Sequence, residues 1–356
     1  MKKAILGTTA LVAVGAFAAA PASAADKIQL GVGGYMQSTY FYQDGDEPAG
    51  TPSRISDRVT QEGEIHFTGE TTLDNGLRFG VNVQLEAYEA TDQIDETYIF
   101  VEGSFGRILL GSENSASYLM HYTSPSPVPM FSADSNNVAP SGQANTTYNN
   151  MFSDADKITY FSPRFAGFQF GASYVPDGNA ETGSSGNTQF QAPAFEAGLD
   201  RGYSVAVNYV NKFGGVDVGV SAGYEQAEVA AASEDQSAYS LGASVGVAGF
   251  TVGAGYAIDK DLAGVSDSDR KAWSAGVKYG MGPWAVGVQY SKTTDEPAAG
   301  ADLDATTWII GGQYALGPGI TVFGGVEIDD NDLTASTATR MAGKTNTFFV
   351  GTAVNF

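Results

Sequence analysis

Along most of the chain, apolar and polar side chains change places with a period of two. Tyr203, Val205, Val207 and Tyr209 share one face, with Ser204, Ala206 and Asn208 on the other. Val216, Val218, Val220, Ala222 and Tyr224 oppose Asp217, Gly219, Ser221 and Gly223, and Trp284, Val286, Val288 and Tyr290 oppose Ala285, Gly287, Gln289 and Ser291. The last residues repeat the pattern, with Phe348, Val350, Thr352, Val354 and Phe356 in one phase. Strict alternation marks a strand with one apolar face. The pattern predicts sixteen strands, at 27–43, 60–73, 77–89, 93–102, 106–114, 156–163, 167–175, 200–211, 215–226, 237–247, 249–259, 270–280, 283–294, 304–316, 318–330 and 343–356.

The breaks between these segments alternate in length. Short ones include Asp74-Asn75-Gly76, Gly103-Ser104-Phe105 and Lys212-Phe213-Gly214. Asp-Asn-Gly supplies the positive φ that a tight hairpin needs. Long polar breaks fall at 44–59, 115–155, 176–199, 227–236, 260–269, 295–303 and 331–342, with 90–92 the one brief member. An even number of strands, with short turns at one end and long loops at the other, predicts an all-β transmembrane antiparallel β-barrel of sixteen strands. Aromatics at the strand ends and aliphatics between them suit the two membrane interfaces. A large soluble barrel would hide its apolar face inside and is the alternative.

The N-terminus adds a destination. Met1-Lys2-Lys3, the apolar run to Ala20 and Ala22-Ser23-Ala24 read as a signal peptide over 1–24, leaving a barrel over 25–356. Losing Lys2 and Lys3 takes the 18 basic residues to 16 against 40 acidic ones, a net charge of −24. That balance argues against nucleic-acid binding through a basic patch. The absence of cysteine excludes disulfides and thiolate chemistry. After the leader, no run reaches the roughly 20 apolar residues of a membrane helix.

The break at 115–155 follows the fifth strand. It holds Ser124-Pro125-Ser126-Pro127-Val128-Pro129-Met130-Phe131 and many other apolar residues, among them Tyr118, Leu119, Met120, Tyr122, Tyr148, Met151 and Phe152. A loop of that length and composition reads as a packed, functional segment. It is expected to fold into the lumen and narrow it; an external surface loop is the alternative.

Gly31-Val32-Gly33-Gly34-Tyr35, Phe67-Thr68-Gly69-Glu70, Asp95-Glu96-Thr97-Tyr98-Ile99-Phe100-Val101, Phe105-Gly106-Arg107-Ile108-Leu109-Leu110-Gly111 and the terminal Phe356 carry a more specific likeness. In that order and with that strand number, the chain resembles the general bacterial porins, sixteen-stranded trimeric diffusion channels, most of all those of alphaproteobacteria. The resemblance implies residence in the outer membrane of a Gram-negative bacterium, a homotrimer, contact with outer-membrane lipid and lipopolysaccharide, and passage of ions and small hydrophilic solutes. It also implies acids on the third loop, for which Glu113, Asp134, Asp154 and Asp156 are the candidates, facing a basic cluster on the wall.

Here the wall departs from that pattern. Strand 60–73 directs Glu62, Glu64, His66, Thr68 and Glu70 inward if Ile65 and Phe67 face out. Strand 77–89 directs Arg78, Asn82, Gln84 and Glu86 inward, and strand 93–102 directs Asp95 and Thr97 inward if Tyr98 and Phe100 face out. Glu64 and Asp95 then stand where enterobacterial relatives keep arginines. Arg54, Arg58, Arg78 and Arg107 are the remaining basic candidates. The expected channel is cation-preferring. A solute-specific porin and a structural or adhesive barrel are the alternatives.

Catalytic chemistry finds little footing. The two histidines are His66 and His121, and no metal-binding His pair appears. His66 beside Glu64 and Glu86 could imitate a hydrolytic site, but a plain lumen histidine accounts for it. No cofactor is implied. Asp329-Asp330-Asn331-Asp332 and Asp267-Ser268-Asp269 offer oxygen donors for loop calcium, though not at EF-hand spacing.

Overall fold

The computed structural model describes residues 27–45, 56–87, 94–134, 145–178, 198–230, 232–332 and 343–356. The leader expected over 1–24, the break at 90–92, Arg54 and parts of several long loops lie outside the described residues.

Sixteen strands form one closed antiparallel barrel. They are β1 (Gln29–Gly45), β2 (Asp57–Thr72), β3 (Arg78–Glu86), β4 (Thr97–Gly103), β5 (Gly106–Ser112), β6 (Asp156–Phe161), β7 (Phe168–Val175), β8 (Leu199–Phe213), β9 (Val216–Val229), β10 (Gln236–Val247), β11 (Phe250–Lys260), β12 (Asp269–Met281), β13 (Trp284–Glu296), β14 (Leu303–Gly317), β15 (Ile320–Asn331) and β16 (Gly343–Asn355). The ring closes where β1 pairs with β16, Phe41 opposite Phe349. Gly34 and Phe356 exchange both backbone hydrogen bonds at 3.0 Å, so the last residue is tied into the wall. Closure leaves no unpaired strand edge in the membrane, which is what lets a sheet cross lipid.

The turn chemistry fixes one end of the barrel. In the β2–β3 hairpin, Gly76 adopts φ +83° and Asn75 Oδ1 accepts the Leu77 N–H at 3.1 Å. The alternation fixes the faces. On β8, Tyr203 and Val205 are exposed, whereas Ser204 and Asn208 are buried inside. Rings outside pack across strands in two belts. Tyr224–Tyr239, Trp273–Tyr290 and Tyr290–Trp308 lie 4.7 to 4.8 Å apart toward the loop end. Phe168–Tyr209, Phe250–Tyr279 and Trp284–Tyr314 lie 4.4 to 4.8 Å apart toward the turns.

One strand runs in the opposite phase to expectation. On β4, Ile99 faces out, while Tyr98 and Phe100 face in and are buried. Register puts Tyr98 opposite Asn82 and Gly111, and Phe100 opposite Gly80 and Leu109. The Phe100 ring fills the space that Gly80 leaves, where an added Cβ would come within 2.4 Å of it. The guanidinium groups of Arg78 and Arg107 lie over that ring at 5.2 and 4.2 Å, a favourable place for a cation. The stretch Tyr98-Ile99-Phe100-Val101 is apolar on both faces, so its period could not choose between them.

Candidate functional site

The third loop lies inside the barrel because the inner wall is built to receive it. Ser115 Oγ accepts the Tyr118 N–H and starts a single helical turn, α1 (Ala116–Leu119). Wall serines take the next free donors: Ala116 N donates to Ser173 Oγ, and Ser117 N to Ser204 Oγ, both at 2.9 Å. Tyr122 N reaches Ser221 Oγ at 2.8 Å. The buried Gln289 amide donates to Ser124 Oγ at 2.8 Å and accepts from the Ala133 N–H at 2.8 Å. Lys278 Nζ donates to the Ser126 carbonyl at 3.0 Å. The loop thus crosses the inner faces of β7, β8, β9, β12 and β13, and its backbone groups exchange water for fixed partners. Its far end is apolar: Phe131 packs in a buried cluster with Phe41, Phe323 and Phe349 at 5.4 to 5.9 Å.

Close approach explains glycines that would weaken an ordinary strand. A Cβ at Gly242 would stand 1.7 Å from the Tyr122 carbonyl oxygen, and one at Gly253 would stand 2.4 Å from the Thr123 carbonyl oxygen. Both glycines make room for loop backbone.

The loop acids divide by environment. Asp134 is buried and accepts the Thr147 N–H at 2.6 Å, Thr147 Oγ1 at 2.7 Å, Ser274 Oγ at 2.5 Å and Thr123 Oγ1. It ties the two limbs of the loop to β12 and does not line open space, contrary to expectation. Glu113 is also buried and accepts the Asn114 N–H at 2.7 Å. Asp154 accepts from Ser153 Oγ at 3.0 Å. Asp156 opens β6 in the phase of Ile158 and Tyr160, both exposed on the outer face, so alternation turns it away from the channel.

The wall facing this segment is acidic. Glu64 stands opposite Tyr35 on β1 and Glu86 on β3. Its Oε1 accepts from Tyr35 Oη at 2.6 Å, and its Oε2 meets His66 Nε2 at 2.8 Å. Carboxylate oxygens of Glu62, Glu64 and Glu86 lie within 4.8 Å of one another, and so do those of Glu64, Asp95 and Glu96. Among the described residues these two groups are the sets of acids close enough to share a cation, and neither includes the loop runs around Asp267 and Asp329. Asp95 precedes β4 and joins Glu64 even though the β4 phase is inverted. The same inversion brings Glu96 inside, where sequence reasoning missed it. Asn114 Nδ2 donates to Glu96 Oε1 at 3.3 Å, linking wall to loop.

Burial, then the charges of Glu113 and Asp95, pushes the Glu96 carboxyl well above the usual range. Burial pushes Glu113 up too, although the Asn114 N–H opposes it. Nearby cations are largely engaged. Arg78 bridges Glu70 at 3.2 Å and Glu102 at 2.6 Å, and Lys157 Nζ donates to the backbone carbonyls of Glu113 and Ser153. Tyr35, Glu102 and Lys157 also escaped sequence reasoning; only their cross-strand neighbours reveal them. On the far side, His121 contacts Thr147 Oγ1 at 3.1 Å and Ser221 Oγ at 3.3 Å. Burial pushes its imidazole down to about 4.

A closed, outward-apolar barrel with a loop seated inside it and charged groups along the remaining inner wall defines a membrane channel. Residues 7–334 match the family model of Gram-negative porins, and the chain belongs to that family. Its place is therefore the outer membrane. A major outer membrane protein of Pasteurella multocida is 36% identical over 115 residues, a stretch covering 32% of this chain and 30% of that relative. An anion-selective porin from Comamonas acidovorans superposes with a TM-score of 0.65 over 93% of this chain and 100% of its own, at 17% identity. Salmonella typhi OmpF, in complex with daunomycin, gives 0.65 over 93% and 98%, at 16% identity. The trimer form of Vibrio cholerae OmpT gives 0.61 over 93% and 100%, at 12% identity. At these identities the superpositions establish the fold.

Proposed function

We propose that this protein lets ions and small hydrophilic solutes diffuse passively across the outer membrane, with a preference for cations, and that it works as a homotrimer. The observation that carries the preference is the convergence of Glu62, Glu64, Glu86, Asp95 and Glu96 beside the seated loop. Two unit charges about 4 Å apart interact at roughly 4 kcal/mol at an effective dielectric near 20. Even partly protonated, such a group makes the wall favour cations, and salt weakens the effect by screening. The Comamonas acidovorans porin is named as anion-selective. Shared fold at 17% identity leaves wall charge free to differ, and here it is acidic.

The trimer rests on the outer face of β1 to β5. Leu30, Val32, Val59, Phe67, Ile99 and Leu110 are exposed there, and Gly63 and Gly69 flatten β2. The cross-strand ring contacts on the outside gather instead on β7 to β14. A flat apolar wall with fewer cross-strand ring contacts suits another subunit better than lipid.

Reversal potentials across a planar bilayer in a KCl gradient test the preference. The expected sign is cation preference, reduced in Glu64→Gln combined with Asp95→Asn and Glu96→Gln. Anion preference in the unaltered protein would sink the proposal. Crosslinking of detergent-extracted protein tests the trimer, and a fully conducting monomer would overturn it.

A further inference from the structure

From Ser115 to Ala133 the seated limb of the loop contains no Asp, Glu, Lys or Arg. Its helical turn presses one side onto the wall. A Cβ at Gly171 would run into Met120 and Ala116, and one at Gly223 into Ser117. Ala116, Ser117 and Met120 are buried there, so Tyr118 and Leu119 point the other way, into the lumen, and are partly exposed. The Tyr118 ring continues into that of Tyr148, 4.9 Å away and also partly exposed. Further along, Pro127 and Val128 are buried on the wall, while Pro125 and Pro129 are partly exposed. The loop thus shows the channel an aromatic and aliphatic face without charge.

In strand order, the middle of the wall under this limb lies across the barrel from β2 to β4. That opposite wall holds Glu62, Glu64 and Glu86, with Asp95 and Glu96 just before β4. Glu96 is 7% exposed, and its Oε2 has no hydrogen-bond partner among the described residues. Burial, then the charges of Asp154, Glu96 and Glu113, raises the Tyr118 phenol, so this ring stands within reach of the acids. A solute charged at one end and apolar at the other matches both sides of such a passage. An ammonium brings three N–H donors to the carboxylates, and an apolar body gains by covering Tyr118 and Leu119. The face of a tyrosine ring also attracts cations. A polar cation of equal size gains little from the loop.

We propose that the constriction favours primary ammonium ions carrying an aromatic or aliphatic body over polar cations of the same size. The inference rests on the cation-preferring channel proposed above and names the class of cation it passes best.

Bi-ionic reversal potentials in planar bilayers test it, with chloride as the common anion. The probes are benzylammonium and protonated tris(hydroxymethyl)aminomethane, two monovalent cations with the same number of non-hydrogen atoms. Benzylammonium should exceed the other probe by about threefold more than their free-solution mobilities give, the scale of burying a few tens of Å² of apolar surface. Tyr118→Gln with Leu119→Asn should bring the ratio down to that of the mobilities and leave the preference for potassium over chloride as it was. Leu119→Asn alone, the smaller change, should move the ratio the same way. Any widening of the pore acts on both probes alike, because their sizes match, and a variant that conducts KCl has formed its barrel. Glu64→Gln with Asp95→Asn should lower both cations against chloride and keep their ratio. A ratio equal to that of the mobilities in the unaltered protein, or one that both loop variants leave unchanged, overturns this inference alone. Anion preference in the KCl gradient overturns the proposed cation preference and this inference with it.

Discussion

Gly242 on the inner face of β10 lies so close to Tyr122 that a Cβ added to it would stand 1.7 Å from the Tyr122 carbonyl oxygen. The wall and the loop share a single surface here, and a side chain at this point must displace the loop. Gly246, two inward positions further along the same strand, has no neighbour nearer than 3.6 Å to its added Cβ. Gly242→Val should unseat the loop at a cost of about 1–3 kcal/mol of overpacking and raise single-channel conductance. Gly246→Val should leave conductance unchanged. Equal conductance in the two variants would show that the loop does not set the pore.

Asp134 holds the loop by its oxygens. Asp134→Ala removes a carboxylate that serves Thr147, Thr123 and Ser274 together, and it strands their donors. Each buried donor left unsatisfied costs about 1–3 kcal/mol. The barrel should still form, since no strand pairing depends on Asp134. Limited proteolysis should then cut within 113–155 in the variant and not in the unaltered protein, while the heat-sensitive gel mobility of the folded barrel is retained.

Arg78 bridges Glu70 and Glu102 on the inner wall. All three side chains are more than a third exposed, so the bridges contribute at most about 1 kcal/mol to stability. Arg78→Gln should leave thermal stability nearly unchanged yet strengthen cation preference, because two carboxylates lose their counter-charge. Reversal potentials measure the preference. An unchanged ratio would place the selecting groups elsewhere.

The pH response has two limbs. The Glu113 carboxyl is raised by burial, so its contribution to stability is present below the unfolded value of about 4.5 and lost as pH rises through the folded value. His121 is depressed to about 4, so its contribution is present above the unfolded value of about 6.5 and lost as pH falls through about 4. The loop should therefore be best seated in mildly acidic to neutral solution, with greater conductance noise at both extremes. Glu113→Gln should flatten the alkaline limb and His121→Gln the acidic one. Cation preference should also rise with pH as Glu113 and Glu96 ionise.

Alternation and turn chemistry were enough to set the number of strands, their order and the two ends of the barrel, because side chains must face either lipid or lumen and a hairpin fixes its own register. Residues such as Val205, Ser221 and Gln289 show their faces in the sequence. The period fails where apolar residues occupy both faces, as at Tyr98-Ile99-Phe100-Val101. There only the space beside Gly80 and the two guanidinium groups decide that Phe100 turns inward, and Glu96 follows it. The sequence also marks the loop as packed by its apolar content, but not what each acid does. Asp134 and Asp154 look alike in sequence. Asp134 became a buried tie because β12, more than a hundred residues later in the chain, places Ser274 against it, and contact across that separation exists only once the barrel has closed.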